Sequence, residues 1–272
     1  MNSQFGSDAE KQIYMIRDAG FNEIFFPFDG RNELAELVKI ANKASVPVQS
    51  VHAPFHGCRA LWEDDNDAAD KAIAEITDCI HACEENYIPI AVSHVFIGFD
   101  TPPIPKEKGL ERYYSLIKTA EKCGVKIAFE NTEGEEYLEE ILNNFGDNKA
   151  VGFCWDSGHE MCYNRSKDLL LKYGKKLLCT HINDNLGIKD INGKITWLDD
   201  LHLLPFDGIG RWEYNADRLL RENYTGTLTF ELNKLSKPGR HENDIYAALP
   251  IETYLAEAYK RACRFERMLK TQ

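Results

Sequence analysis

Seven short runs rich in β-branched and aromatic residues recur along the chain, each separated from the next by a longer stretch of helical periodicity. They are EIFFPF (23–28), VPVQSVHAP (46–54), IPIAVSHVF (88–96), VKIAFEN (125–131), AVGFCWD (150–156), KLLCTHIND (176–184) and TLTFELN (227–233). Apolar residues repeat on one helical face in ELAELVKIANKA, DAADKAIAEITDCIHACEEN, LERYYSLIKTAEKCG, EEYLEEILNNFG and SKDLLLKYGKK, and a closing helix is expected from about Ile245 to Leu269. Strand and helix in alternation predict repeated βα units, a parallel sheet and the α/β class. At 272 residues with 43% hydrophobic side chains, one (β/α)8-type barrel accommodates the whole series, and no linker or charge block divides it. Residues 1–272 therefore read as a single barrel domain.

The N-terminus fits that plan imperfectly. The helical segment DAEKQIYMIRDAG begins at about Ser7, so only MNSQFG precedes it and a full first strand has almost no room. Either MNSQFG supplies a stub of strand, or the barrel has a gap that another element or a second copy closes. An open parallel edge would leave unpaired backbone groups, which makes a homo-oligomer plausible.

Composition narrows the partners. Thirty-two Lys and Arg against forty-four Asp and Glu give a net charge of −12, which disfavours nucleic acid. The opening residues lack a basic and apolar leader, and no apolar run approaches a membrane span, so a cytoplasmic protein without membrane contact is expected. The eight cysteines form no CxxC pair and read as reduced thiols, with Cys79 and Cys83 as small core residues on one helix face.

In a parallel barrel the strands' C-terminal ends surround one mouth. Six of these strands end on a metal-capable residue: His52, His94, Glu130, Asp156, His181 and Glu231, spaced 25 to 50 residues apart. His159 follows Asp156 by three residues, and Asp200 and His202 lie in the long DDLHLLPFDGIGRW loop. Any one of them has an ordinary structural explanation. Five of the eight histidines in such positions do not, so Glu130, Asp156, His181 and Glu231 are expected to form a metal quartet. His52, His94, His159, Asp200 and His202 are secondary candidates, while His56, His81 and His241 take the structural or solvated reading. Imidazole and carboxylate donors suit one divalent ion, Mn²⁺, Mg²⁺, Co²⁺ or Zn²⁺. PFDGIGRW must be a tight loop, with Trp212 opening a helix, and it holds no dinucleotide fingerprint. Phe26, Phe28, Phe55, Trp62 and Phe96 lie near strand ends, with Phe26 and Phe96 assigned to the core.

FENTEG, CWDSGH, THINDN, LHLLPFDGIGRW and FELN, in this order, resemble the xylose isomerase-like TIM barrels, the superfamily of sugar isomerases, sugar epimerases and endonuclease IV. The resemblance runs from about Asp8 to the end. It implies one divalent cation on Glu130, Asp156, His181 and Glu231. It also implies a small sugar or polyol substrate, phosphorylated or not, contacted by His159 and by His52 and His94. A carbon acid beside a carbonyl needs its enediolate oxygen stabilised, which a Lewis-acidic metal does, while Glu130 and Glu231 remove and return the proton. Isomerisation, epimerisation and the dehydration of an inosose share that chemistry. The resemblance to endonuclease IV extends to all nine residues and implies an alternative, a zinc phosphodiesterase acting on abasic DNA, with His159, Asp200 and His202 as further metal ligands. The acidic loop Glu63, Asp64, Asp65 and Asp67 after His52 opposes it.

Overall fold

The computed structural model describes residues 1–2, 8–99, 103–189 and 193–270. Six parallel strands form one sheet in sequence order: β1 (Ile24–Pro27), β2 (Val48–His52), β3 (Ile90–His94), β4 (Lys126–Glu130), β5 (Val151–Asp156) and β6 (Leu177–His181). The helices outside them are α1 (Ala9–Ala19), α2 (Arg31–Lys43), α3 (Asn66–Glu85), α4 (Glu107–Cys123), α5 (Glu135–Phe145), α6 (Ser157–Cys162), α7 (Leu169–Tyr173), α8 (Trp212–Arg221), α9 (Asp244–Ala247) and α10 (Ile251–Lys270). The chain is an α/β protein of TIM-barrel type with an abbreviated first strand. Among the described residues, no helix is long and apolar enough to cross a membrane.

The sheet curls shut through irregular backbone. The expected seventh strand is reduced to a parallel bridge between Ile182 and Phe230, with Ile182 N donating to Thr229 O at 2.7 Å and Glu231 N to Ile182 O at 3.2 Å. Asn2 N then donates to Phe230 O at 3.0 Å, and Phe25 N donates to Met1 O at 3.1 Å. Asn2 also uses its side chain as strand backbone: Nδ2 donates to Leu232 O at 3.0 Å and Oδ1 accepts from Leu232 N at 3.1 Å. Of the two closures open at the sequence level, the strand stub is the one formed, by Met1 and Asn2. Residues 3–7, including Ser7 where the first helix was expected to begin, lie outside the described residues; Asp8 caps α1 by accepting from Glu10 N.

Two helical expectations need correction. Pro250 has no N–H to continue a helix, so the closing helix divides into α9 and α10. The SKDLLLKYGKK helix shortens to α7, capped by Asp168, and then tightens to a 3-10 turn at Gly174–Lys176. Asp156 leads directly into α6, whose first turn it caps by accepting from His159 N at 2.6 Å.

Strand alternation positions the site. Ile127 and Phe129 of β4, and Val151, Phe153 and Trp155 of β5, face the helical layer and join the main core. The opposite, inward faces carry small residues, Val92, Ala128, Cys154 and Cys179, which pack together inside the barrel. One inward step further along the same four strands come His94, Glu130, Asp156 and His181. A narrow interior floored with small side chains thus carries a layer of metal-capable ones at its C-terminal mouth. Phe26, Phe96 and Trp62 are buried core, and Trp62 Nε1 donates to Val95 O at 2.8 Å.

Candidate metal centre

All nine candidate residues converge on this mouth, as three adjoining groups: Glu130 with Asp156, His181 and Glu231; Glu130 with His52 and His94; and His159 with Asp200 and His202. Glu130 belongs to two of them. Its Oε1 lies 3.0 Å from His181 Nδ1, and its Oε2 lies 3.2 Å from His52 Nε2 and 3.4 Å from His94 Nε2. His181 Nδ1 is also 3.1 Å from Glu231 Oε2. In the third group, Asp200 Oδ2 is 2.9 Å from His202 Nε2 and Asp200 Oδ1 is 3.5 Å from His159 Nε2.

The tautomers are set from outside the cluster. His52 Nδ1 meets Ala53 O at 2.9 Å, His159 Nδ1 meets Asn131 O at 3.0 Å, and His202 Nδ1 meets Glu231 O at 3.1 Å. A carbonyl accepts only, so each Nδ1 is the donor, and in the neutral ring Nε2 turns a lone pair inward. Three further rings hold the imidazoles flat: Phe25 stacks on His181 at 4.7 Å, Phe55 on His94 at 4.7 Å, and Tyr163 on His159 at 4.9 Å.

Burial pushes His94 down to about 4, so its ring is neutral. Its buried Nδ1 has no partner, which leaves Nε2 to donate toward Glu130, and His52 Nε2, His94 Nε2 and Glu130 Oε2 stand 3.2 to 3.4 Å apart. Ligands about 2.0–2.1 Å from a tetrahedral ion stand roughly 3.3 Å apart, so such spacings suit a shared cation. The quartet makes the same case through charge. Among the described residues, Glu130, Asp156 and Glu231 ion-pair with histidines only. Burial raises Asp156 to about 6, against the pull of His159 and His202. Burial would also raise Glu231, but His181 and His202 hold it at about 2, and the histidines hold Glu130 well below the usual carboxylate range. Against the cost of burial, these carboxylates and Asp200 hold His159 and His181 well above the usual imidazole range and His202 at about 9, so protons on the rings balance the cluster. Two fully buried carboxylates, the partly exposed Glu231 and imidazoles that release those protons fit a divalent ion by charge and by donor type.

Hydrogen bonds fix the ligands in turn. Asn131 exchanges two with the Asp156 backbone, at 2.9 and 2.8 Å. Ser157 Oγ donates to Asn183 O at 2.6 Å, and Gly158 is required beneath it, since a Cβ there would sit 1.8 Å from Asn183 Oδ1. Glu160 anchors α6 from behind: it pairs with Arg218 at 2.8 Å and accepts from Trp155 Nε1 at 3.0 Å. Asp184 explains PFDGIGRW, because it accepts from Phe206 N, Gly210 N and Trp212 Nε1 and so folds that loop onto β6.

Above the groups lies a cavity of about 600 Å³, lined by His52, His94, His159, Asp200, His202 and Glu231 of the expected set. Phe55 lines it too, whereas Phe26, Phe28, Trp62 and Phe96 do not, and His56, expected to be structural, does. Glu130, Asp156 and His181 lie below, fully buried. Phe25, Phe99, Tyr163, Trp197, Glu133 and Lys237 also line it, and no sequence pattern marks them. Which Phe of EIFFPF turns inward depends on strand register, and Trp197 and Lys237 stand in aperiodic loops. His81 stands apart beside Glu84 and Cys123, and His241 is exposed beside Asp244.

Residues 13–251 match the model of the xylose isomerase-like TIM barrels. The chain belongs to that family. A curated relative, the uncharacterised protein y4fM of Sinorhizobium fredii, is 33% identical over 148 residues, 51% of this chain and 44% of that protein; the match thus spans under half its length. Among solved structures, D-psicose 3-epimerase from Clostridium cellulolyticum H10 superposes with a TM-score of 0.73 at 17% identity, over 98% of this chain and 95% of that one. L-ribulose 3-epimerase gives 0.71 at 14%, over 96% and 89%. These two likenesses, at such identities, are likenesses of fold.

Proposed function

We infer that this xylose isomerase-like barrel, residues 1–272 acting as one unit, is a divalent-metal-dependent sugar isomerase or epimerase that moves a proton beside a carbonyl. The observation that carries this reading is the quartet of Glu130, Asp156, His181 and Glu231 under an aromatic-walled cavity of small-molecule size. A cation bound there supplies Lewis-acid stabilisation of the enediolate oxygen. Everything else falls to the chain's own residues. Glu231, 21% exposed at the cavity floor, is placed to take the proton from the substrate carbon. Glu130 is fully buried beneath His52 and His94 and does not line the cavity, so the two expected proton carriers are unequal and Glu231 is the one that reaches the substrate space. His159 and His202 border the space where substrate oxygens would lie, and Phe55, Phe99, Tyr163 and Trp197 exclude water. The epimerase names of the structural neighbours support this reading.

The second reading, a zinc phosphodiesterase on abasic DNA, is favoured by one observation, the three adjoining groups. The lining weighs against it. Among its described residues Lys237 is the single lysine or arginine, too little positive charge to grip a polyanion.

The two readings part in D₂O. With a panel of ketoses and inososes and added Mn²⁺, the wild type should wash deuterium into a C–H beside the carbonyl, and Glu231→Gln should lower that rate by roughly 10²–10⁴-fold. Nicking of an abasic oligonucleotide with no exchange on any sugar would replace the first reading by the second.

A further inference from the structure

Lys237 is not an ordinary surface lysine. Its side chain is 15% exposed, its Nζ donates to Trp197 O at 2.7 Å and lies 3.1 Å from Asp200 Oδ2, and the ammonium stands 5.4 Å from the Trp197 ring centre. The turn that delivers it is preformed. Pro238 and Gly239 occupy its middle, Gly239 has φ of 71°, and Arg240 N donates to Lys237 O at 2.9 Å, the pattern of a type II turn. Arg240 ties this turn to the loop bearing Asp200, since its Nη1 donates to Leu198 O at 3.1 Å.

Asp200 is the one carboxylate of the third group. Its Oδ2 is shared by Lys237 and His202, while its buried Oδ1 has no hydrogen-bond partner. The three groups therefore differ in charge. The quartet brings three carboxylates that, among the described residues, pair with histidines only. The third brings one carboxylate already matched by an ammonium. A divalent ion on Asp200 would place a second positive charge on an oxygen that Lys237 already holds, inside a site where little water screens the two.

We propose that Lys237 is the resident cation of the His159–Asp200–His202 group and closes it to metal, so that every metal ion the mouth binds is a ligand partner of Glu130. The proposal rests on the sugar-enzyme reading only in taking the quartet as loaded; the role of Lys237 stands on the contacts above. It makes Lys237 the residue that sets how many ions the mouth accepts.

The test counts metal. Wild type, Lys237→Met, Asp200→Asn and the double variant are saturated with Zn²⁺, freed of excess by gel filtration, and assayed for zinc per chain by mass spectrometry, with thermal melts to confirm folding. Asp200→Asn should leave the wild-type count unchanged, Lys237→Met should gain one ion per chain, and the double variant should return to the wild-type count. A loss of one ion in Asp200→Asn alone, or an unchanged count in Lys237→Met, overturns the proposal. Lys237→Gln serves in the same way if the Met variant does not fold. Failure here leaves the deuterium exchange untouched, and failure of the exchange leaves the count untouched, so the two readings fall separately.

Discussion

Asn183 donates from Nδ2 to Asp156 Oδ2 at 2.9 Å, and both residues are fully buried. The two come from neighbouring strand ends, and the contact orients the carboxylate that burial makes most reluctant to ionise. Asn183→Ala should therefore weaken metal binding about 10–100-fold, the usual effect of losing a partner that orients a ligand. Titration of the metal-free variant with Zn²⁺ against a competing chelator measures this, and unchanged affinity would show that Asp156 needs no such support.

Acid should strip the metal before it unfolds the protein. Asp156, raised to about 6, binds a proton in the metal-free site as pH falls through that value, and the cation must displace it. His181, held above the usual imidazole range by Glu130 and Glu231 against the cost of burial, already carries a proton to be displaced near neutrality, so zinc affinity is expected to fall through pH 7 and to fall more steeply, by up to a further tenfold per pH unit, below 6. A competition series from pH 5 to 8 reads it, and affinity that does not fall more steeply below pH 6 would remove Asp156 from the ligands.

The PFDGIGRW loop hangs on a single carboxylate. Asp184→Ala removes the acceptor for three backbone N–H groups, those of Asn185, Phe206 and Gly210, and for the Trp212 indole, with a cost of about 2–4 kcal/mol. Urea denaturation should show the loss. Asp184 makes no contact with the quartet ligands, so retained metal binding in the folded variant is expected.

Barrel closure is testable at Asn2. Asn2→Ala leaves the buried N–H and C=O of Leu232 without partners, costing about 1–3 kcal/mol per group at most. Asn2→Asp, which keeps an acceptor and loses the donor, should fall between the variant and the wild type in a thermal melt.

Much of this architecture was readable because two periodicities alternate along the chain. Inward strand positions announced themselves through residue type: a His, Asp or Glu ending a run such as VSHVF or AFEN is conspicuous among apolar neighbours. Closure was harder to read, since Asn2 substitutes a side-chain amide for backbone and carries no pattern. The closing helix was over-extended because helical periodicity continues on both sides of Pro250. Lys237 and Trp197 were invisible for a different reason: each reaches the cavity from an aperiodic loop, and only the folded Lys237–Arg240 turn brings the ammonium to Asp200.

Where a metal sits decides what this barrel can catalyse. Crystals grown with Mn²⁺ or Zn²⁺ and measured at the ion's absorption edge should show an anomalous peak enclosed by Glu130, Asp156, His181 and Glu231, and that peak should vanish in Glu130→Gln. A fully loaded crystal with no peak inside that quartet would contradict the central claim.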